Sequence, residues 1–319
     1  MNTNIKNRYL NMYLTMKNKR ENTIKQYTSN LNDFYEYFNN VYRCESEIEL
    51  LKSIDNDDLE DYILYLIDNK KFSANTVNSK ISTLQSFYSY IVDNKNIVPY
   101  NIAKNIPYVS EERTHREVKS KELLSKEEID ELINATYKKV KGERGHEISS
   151  ARMRFIIALS VTTGMRIQEV LGLEENEIEQ MQDREGYFIN ISYKRVKNKL
   201  DKRVPITGTV LKYFNEWMEE RKKLGVKDKY IIVSNRGKKL STKDYNKALE
   251  KLVEKTNINK HITSHCARVS FANMLASKDV DENMIKRIGG WKINGVMENV
   301  YCRDISYDRK KIQIAESIL

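Results

Sequence analysis

The sequence has little glycine, little proline and almost no cysteine: of 319 residues, 11 are Gly, 3 are Pro and 3 are Cys. The cysteines Cys44, Cys266 and Cys302 are far apart, odd in number and nowhere spaced Cys-x-x-Cys. That excludes a disulfide framework and argues against a structural zinc site. No Gly-x-x-x-x-Gly-Lys-Ser/Thr or Gly-x-Gly-x-x-Gly phosphate loop occurs, so no nucleotide cofactor is expected. No stretch approaches the ~18 consecutive apolar residues of a membrane-spanning helix. The start, Met1-Asn2-Thr3-Asn4-Ile5-Lys6, lacks the apolar centre of a signal peptide. Both absences point to a cytoplasmic protein with no membrane partner.

What is present is apolar material for real cores and an excess of positive charge. Hydrophobic residues make up 40% and charged residues 31%, the balance of a globular protein. On a soft prior of roughly 150 residues per domain, the length suggests two domains. Lys plus Arg number 55 against 45 for Asp plus Glu, a net charge of +10. A codon bias toward Lys, Asn, Ile and Tyr explains many lysines but not their excess over acids. A polyanion, nucleic acid first, is therefore the expected partner.

The first hundred residues read as helices. Ile24, Tyr27, Leu31, Phe34, Tyr35 and Phe38 recur at three- and four-residue spacing after Thr23, and Thr23 with Gln26 reads as a capping box. Leu59, Tyr62, Ile63, Tyr65 and Leu66 form a second stripe. Val77, Ile81, Leu84, Phe87, Tyr88 and Ile91 form a third, starting near Ser73. Their aromatics share a face with aliphatics and read as core rather than base-stacking platforms. Pro99 and Pro107 then mark a break in periodicity, followed by the charged run Glu111–Arg116. The division expected is a helical domain over 1–104, a linker over 105–122 and a second domain over 123–319. Ser125 and Glu128 cap the first helix of that second domain. Tyr187–Tyr193 alternates like a strand, and a basic stretch from Lys194 to Arg203 leads into Val204-Pro205-Ile206. Two strands joined by a charged turn fit this, with helices resuming over 210–224, 243–254, 270–277 and 282–288. The fold class expected is mainly α with a small antiparallel β-sheet.

Four places carry chemistry. In Thr163-Gly164-Met165-Arg166-Ile167-Gln168-Glu169, Gly164 permits a tight turn and Arg166 stands where a helix begins. A guanidinium there suits bidentate phosphate contact, although an Arg at a helix start is by itself ordinary surface. The Lys194–Arg203 stretch is a solvated tip, a phosphate-contacting patch, or the bearer of a lysine acid for a leaving alkoxide. His265-Cys266-Ala267-Arg268 sets a proton carrier and a fixed cation three residues apart. His261 and His265 have i, i+4 spacing but no intervening Glu, so a metal site is not expected. Finally, Gly289-Gly290-Trp291 is followed ten residues later by Tyr301, one of twenty tyrosines and a candidate nucleophile only in this company.

Arg166, a hairpin lysine, His265-x-x-Arg268, Trp291 and Tyr301, in this order, resemble the catalytic constellation of the tyrosine recombinase (phage-integrase) family, in its simple two-domain, Xer-like form, with the likeness running from Leu124 to Tyr301. The resemblance implies a helical core-DNA-binding domain followed by an α+β catalytic domain, closing as a clamp on duplex DNA. It implies that Arg166 and Arg268 bind the non-bridging oxygens of a scissile phosphate and that Tyr301 attacks it, giving a 3′-phosphotyrosyl intermediate. Lys197, eight residues before Pro205, would protonate the leaving 5′-oxygen, with Lys194 and Lys199 as alternatives. His265 would serve as acid/base, Trp291 as a donor to the phosphate and Glu169 as a supporting residue. No cofactor or metal is implied. The partners implied are a double-stranded DNA site and three further copies of the chain, linked by exchange of the tail. Ile312, Ala315, Ile318 and Leu319 give that tail an apolar stripe, which suits a neighbouring subunit or a fold back onto its own domain. A type IB topoisomerase or telomere resolvase would share the chemistry and is the alternative.

Overall fold

The computed structural model describes residues 8–16, 21–114, 122–139, 145–192, 201–278 and 280–291. The chain divides into two compact units, Met1–Ser120 and Lys121–Leu319.

Among its described residues the first unit holds helices and no strand: α1 (Arg8–Met16), α2 (Glu21–Val41), α3 (Glu47–Ser53), α4 (Asn56–Asp68) and α5 (Ala74–Lys95). Short polar residues start the later ones. The Ser46 hydroxyl accepts from the Glu49 N–H, and Asp55 and Asp58 cap each other's backbone at the start of α4. The three predicted stripes meet in one core of Leu31, Phe34, Phe38, Leu59, Tyr62, Val77, Ile81, Leu84, Phe87 and Tyr88. At about 1.5–3 kcal/mol per fully buried large apolar side chain, this is what orders the helices. Buried Glu47 ties three of them together, accepting from the Tyr9 and Leu10 N–H groups of α1 and from the Tyr35 hydroxyl of α2 at 2.6 Å. One expectation fails here. Helix α2 already runs from Glu21, so Thr23 lies inside it, and the Gln26 side chain donates to Asn30 Oδ1 instead of closing a capping box. Beyond α5, Ile102, Ala103 and Ile106 are buried in the same core, and Val109 exchanges two hydrogen bonds with Asn78.

The second unit is built around α7 (His146–Thr163), buried along most of its length. Ahead of it α6 (Lys126–Ala135) begins at the predicted Ser125–Glu128 capping box. A one-turn helix α8 (Ile167–Val170) follows α7 and leads to the sheet. That sheet is antiparallel in the order β1-β2-β3, with β1 Ile178–Gln180, β2 Tyr187–Ile191 and β3 Lys202–Ile206. Three strands stand where two were expected, because three residues of β1 are too few to show an alternation. Pro205 is tolerated because β3 is an edge among the described strands, pairing only with β2. The helices α9 (Gly208–Lys223), α10 (Thr242–Val253), α11 (Cys266–Ala276) and α12 (Glu282–Gly289) complete the unit. Its core includes fully buried Trp217, whose indole N–H donates to the Ile231 carbonyl at 3.0 Å. Helix α11 starts four residues before the predicted Ser270, and this places Arg268 in its first turn.

Candidate functional site

The site grows from the end of α7. Gly164 closes that helix at φ +60°, a backbone state that costs L residues about 1–2 kcal/mol. A Cβ there would lie 2.3 Å from the Phe271 ring of α11. Glycine therefore lets α7 end in a tight turn directly against α11, and its carbonyl is free to accept from Arg268 Nη1, 104 residues away in the chain.

Arg166 is the N-cap of α8. Its backbone N–H donates to Glu169 Oε2 at 3.1 Å and its Nη1 to Glu169 Oε1 at 3.0 Å. Its Nη2 reaches the Gly290 carbonyl at 3.4 Å, 124 residues on. The Arg166 side chain keeps 32% of its exposure while that of Glu169 keeps 8%, so the cation has an open side and its counterion does not. A helix dipole behind Arg166 would add to the attraction for an anion. With α8 only one turn long, few peptide dipoles sum there, and the pull must come from the side chains.

Arg268 is 2% exposed. Its guanidinium lies over the Trp291 ring at 3.8 Å from the centroid, a contact worth about 0.5–2 kcal/mol. Two glycines make that stack possible. A Cβ on Gly289 would sit 1.5 Å from the indole, and Gly290 turns the chain at φ +69° after α12. His265 caps α11 immediately before Cys266, and its carbonyl accepts the Arg268 N–H at 3.1 Å. Arg166, Glu169, Arg268 and Trp291 are thus gathered at one place by contacts spanning more than a hundred residues, with His265 one turn from Arg268. Tyr301 and the hairpin lysines Lys194, Lys197 and Lys199 lie outside the described residues.

A further residue belongs here that the sequence does not single out from the basic stretch Lys194–Arg203. Lys202 is the first residue of β3, and its side chain is only 10% exposed. Its Nζ lies 3.9 Å from Glu169 Oε2 and has no hydrogen-bond partner among the described residues. Burial pushes its pKa down to about 8; Glu169 pulls it back up, while Arg268 and Arg166 push it down. The signal was in the alternation: Lys202, Val204 and Ile206 share one face, with Val204 and Ile206 buried and Arg203 and Pro205 exposed between them. Three cations around one carboxylate leave a net positive site, the electrostatics of a receptor for an anion that gains charge as it reacts. Among the described residues, no group of three or more His, Cys, Asp and Glu side chains is placed to hold a metal ion. No described helix is long and apolar enough to cross a membrane.

Comparison with known proteins places the chain in a family. The model of the phage integrase family matches residues 122–305, and that of the phage integrase N-terminal SAM-like domain matches residues 9–97. A tyrosine recombinase XerD of Staphylococcus epidermidis is 26% identical over 293 residues, covering 91% of this chain and 90% of that protein. Among solved structures, an XerH site-specific recombinase bound to its difH substrate in a pre-cleavage complex superposes with a TM-score of 0.68 at 22% identity, over 91% of this chain and 79% of that one. A lambda integrase, solved as a tetramer bound to a Holliday junction, superposes with a TM-score of 0.64 at 15% identity, over 92% and 76%. With two long-separated arginines meeting beside a buried carboxylate, and with family models spanning both units, the chain belongs to the phage integrase family and is a tyrosine-type site-specific recombinase.

Proposed function

We propose that the reaction runs through Tyr301 on a double-stranded DNA site, one strand at a time. Arg166 and Arg268 hold the non-bridging oxygens of the scissile phosphate. The phenol oxygen of Tyr301 attacks phosphorus as its proton passes to His265. The bond to the 5′-oxygen breaks, and that oxygen takes a proton from Lys197, with Lys194 and Lys199 as the alternative donors on the same stretch. The DNA 3′ end remains joined to Tyr301 through a diester, so a 5′-hydroxyl of the partner strand can reverse the step without any nucleotide being hydrolysed. Charge on the non-bridging oxygens grows in the pentacoordinate transition state, and a fixed donor to such an oxyanion is worth about 2.7–4 kcal/mol. Glu169 orients Arg166, and Trp291 holds the plane of Arg268.

The observation that supports this reading is the convergence of Arg166 and Arg268 on one cluster with Glu169. The helical unit over 1–104 supplies DNA-binding surface, and the stretch over 105–122, whose Ile106 and Val109 pack on that helical unit, leads into the catalytic unit over 123–319; four protomers assemble on two duplexes with exchange of their C-terminal tails. The work is done in the cytoplasm. Its biological use is integration and excision of a mobile element or resolution of replicons. The topoisomerase and resolvase alternative is not favoured, since the relatives found are recombinases.

The test is a nicked suicide substrate carrying the site, taken from DNA neighbouring the gene. Wild-type protein accumulates a covalent adduct, while Tyr301→Phe binds the same DNA and forms none. An adduct that persists in Tyr301→Phe would remove Tyr301 from the reaction.

A further inference from the structure

Lys202 is held in a way that needs explaining. The other buried lysines of the described chain, Lys80 and Lys286, are directly paired with Asp33 and Glu282. Lys202 stands 3.9 Å from its nearest carboxylate oxygen, without a hydrogen bond among the described residues, and faces two guanidinium groups. A buried ammonium so weakly partnered is a cost to the fold, and a methionine would fill the same space without it. Such costs are borne where a residue serves the chemistry rather than the packing.

Building on the reaction proposed above, we infer that Lys202 is a positioning residue that acts through Glu169 on Arg166. Glu169 has two oxygens. Oε1 accepts from Arg166 Nη1, while Oε2 accepts the Arg166 N–H and faces Lys202. Without Lys202, Glu169 and Arg166 neutralise each other and the guanidinium is held by its carboxylate. With Lys202 charged, the carboxylate is shared, the pair carries a surplus positive charge, and the outer N–H groups of Arg166 turn to the phosphate. The charged groups facing Lys202 are Glu169 on α8, Arg166 at the N-cap of α8 and Arg268 on α11. Because burial brings its pKa down to about 8, the ammonium is present below that pH and lost above it. The reaction therefore acquires an alkaline limb that belongs to Lys202.

The experiment is single-turnover cleavage of the nicked substrate at limiting DNA-binding concentration, between pH 6.5 and 9.5, with wild type, Lys202→Met and Lys202→Arg. These conditions report the free enzyme's groups. Wild type should lose rate above about pH 8. Lys202→Met should be slower at pH 7 by about 10–100-fold, by analogy with the loss of an outer partner that orients a catalytic metal's ligand, and its profile should lack that limb. Lys202→Arg, charged throughout, should recover most of the rate at pH 7 and keep it to pH 9.5. Thermal melts and retention of DNA on a gel check that each variant is folded; if Lys202→Met is not, the Lys202→Arg profile still decides. A limb shared unchanged by wild type and Lys202→Arg, or wild-type cleavage by Lys202→Met, overturns the assignment. Tyr301→Phe in the same assay separates the two ideas. An adduct there refutes the tyrosine reaction itself, whereas an inactive Tyr301→Phe beside a fully active Lys202→Met refutes only the role of Lys202.

Discussion

Substituting Gly164 by alanine probes the join on which the site is built. Two costs add. The φ of +60° is a left-handed state that charges an L residue about 1–2 kcal/mol. The new methyl would also stand 2.3 Å from the Phe271 ring, and forcing extra volume into a packed core costs about 1–3 kcal/mol. Together these predict a loss of about 2–5 kcal/mol, roughly 5–20 °C in the melting transition of a unit this size. Differential scanning calorimetry of Gly164→Ala against wild type measures it. A double-mutant cycle with Phe271→Ala separates the two parts. Removing the ring relieves the clash but not the backbone strain, so the double mutant should be more stable than the sum of the singles by about 1–3 kcal/mol. Because the Gly164 carbonyl accepts from Arg268, the single mutant should also cleave more slowly at a temperature where it is fully folded. A Gly164→Ala protein that melts with wild type, or a cycle with no coupling, would refute this account of the α7–α11 junction.

Two further predictions concern the neighbours of that junction. Trp291→Ala removes the ring under the Arg268 guanidinium and should slow cleavage about 2- to 30-fold, the kinetic equivalent of about 0.5–2 kcal/mol, while Trp291→Phe, which keeps an aromatic face, should lose less; quench-flow cleavage rates for the three proteins decide it. Lys202→Met should be more stable than wild type at neutral pH. The lowered pKa of Lys202 means that the fold bears the cost of the buried proton below about pH 8 and sheds it as the pH rises toward the ordinary lysine value. The advantage of Lys202→Met, on the order of 3 kcal/mol at pH 7 by the ~1.4 kcal/mol per pKa unit conversion, should shrink to nothing between pH 8 and 10.5, as read by urea midpoints across that range.

Much of this molecule was readable from its residues, for identifiable reasons. The stripes of α2, α4 and α5 were legible because Phe34, Tyr62 and Ile81 recur at helical spacing toward a single core. The two arginines were legible because each sits in a short box with a fixed neighbour, Glu169 for one and His265 for the other. Helices α1, α3 and α7 are not legible: α1 and α3 are short and held by Glu47, a long-range contact that no local pattern announces, and α7 is buried nearly all round, so it shows no single apolar stripe. The boundary of α2 was misjudged because Thr23 and Gln26 satisfy a capping pattern that Glu21 and the Gln26–Asn30 bond override. Lys202 is not legible because a run of lysines and arginines does not show which of them is buried. Only its pairing opposite Ile191 shows that the strand has already begun there. The stacking of Trp291 on Arg268 depends on a turn at Gly290 whose direction composition does not specify.

The account stands or falls on where the DNA becomes attached. Protein trapped on a nicked suicide substrate, digested with nuclease and protease and sequenced by tandem mass spectrometry, is predicted to carry its nucleotide on the peptide containing Tyr301, linked through a 3′-phosphate, and Arg268→Ala should abolish that peptide. A nucleotide found on any other side chain, or linked through a 5′-phosphate, would contradict it.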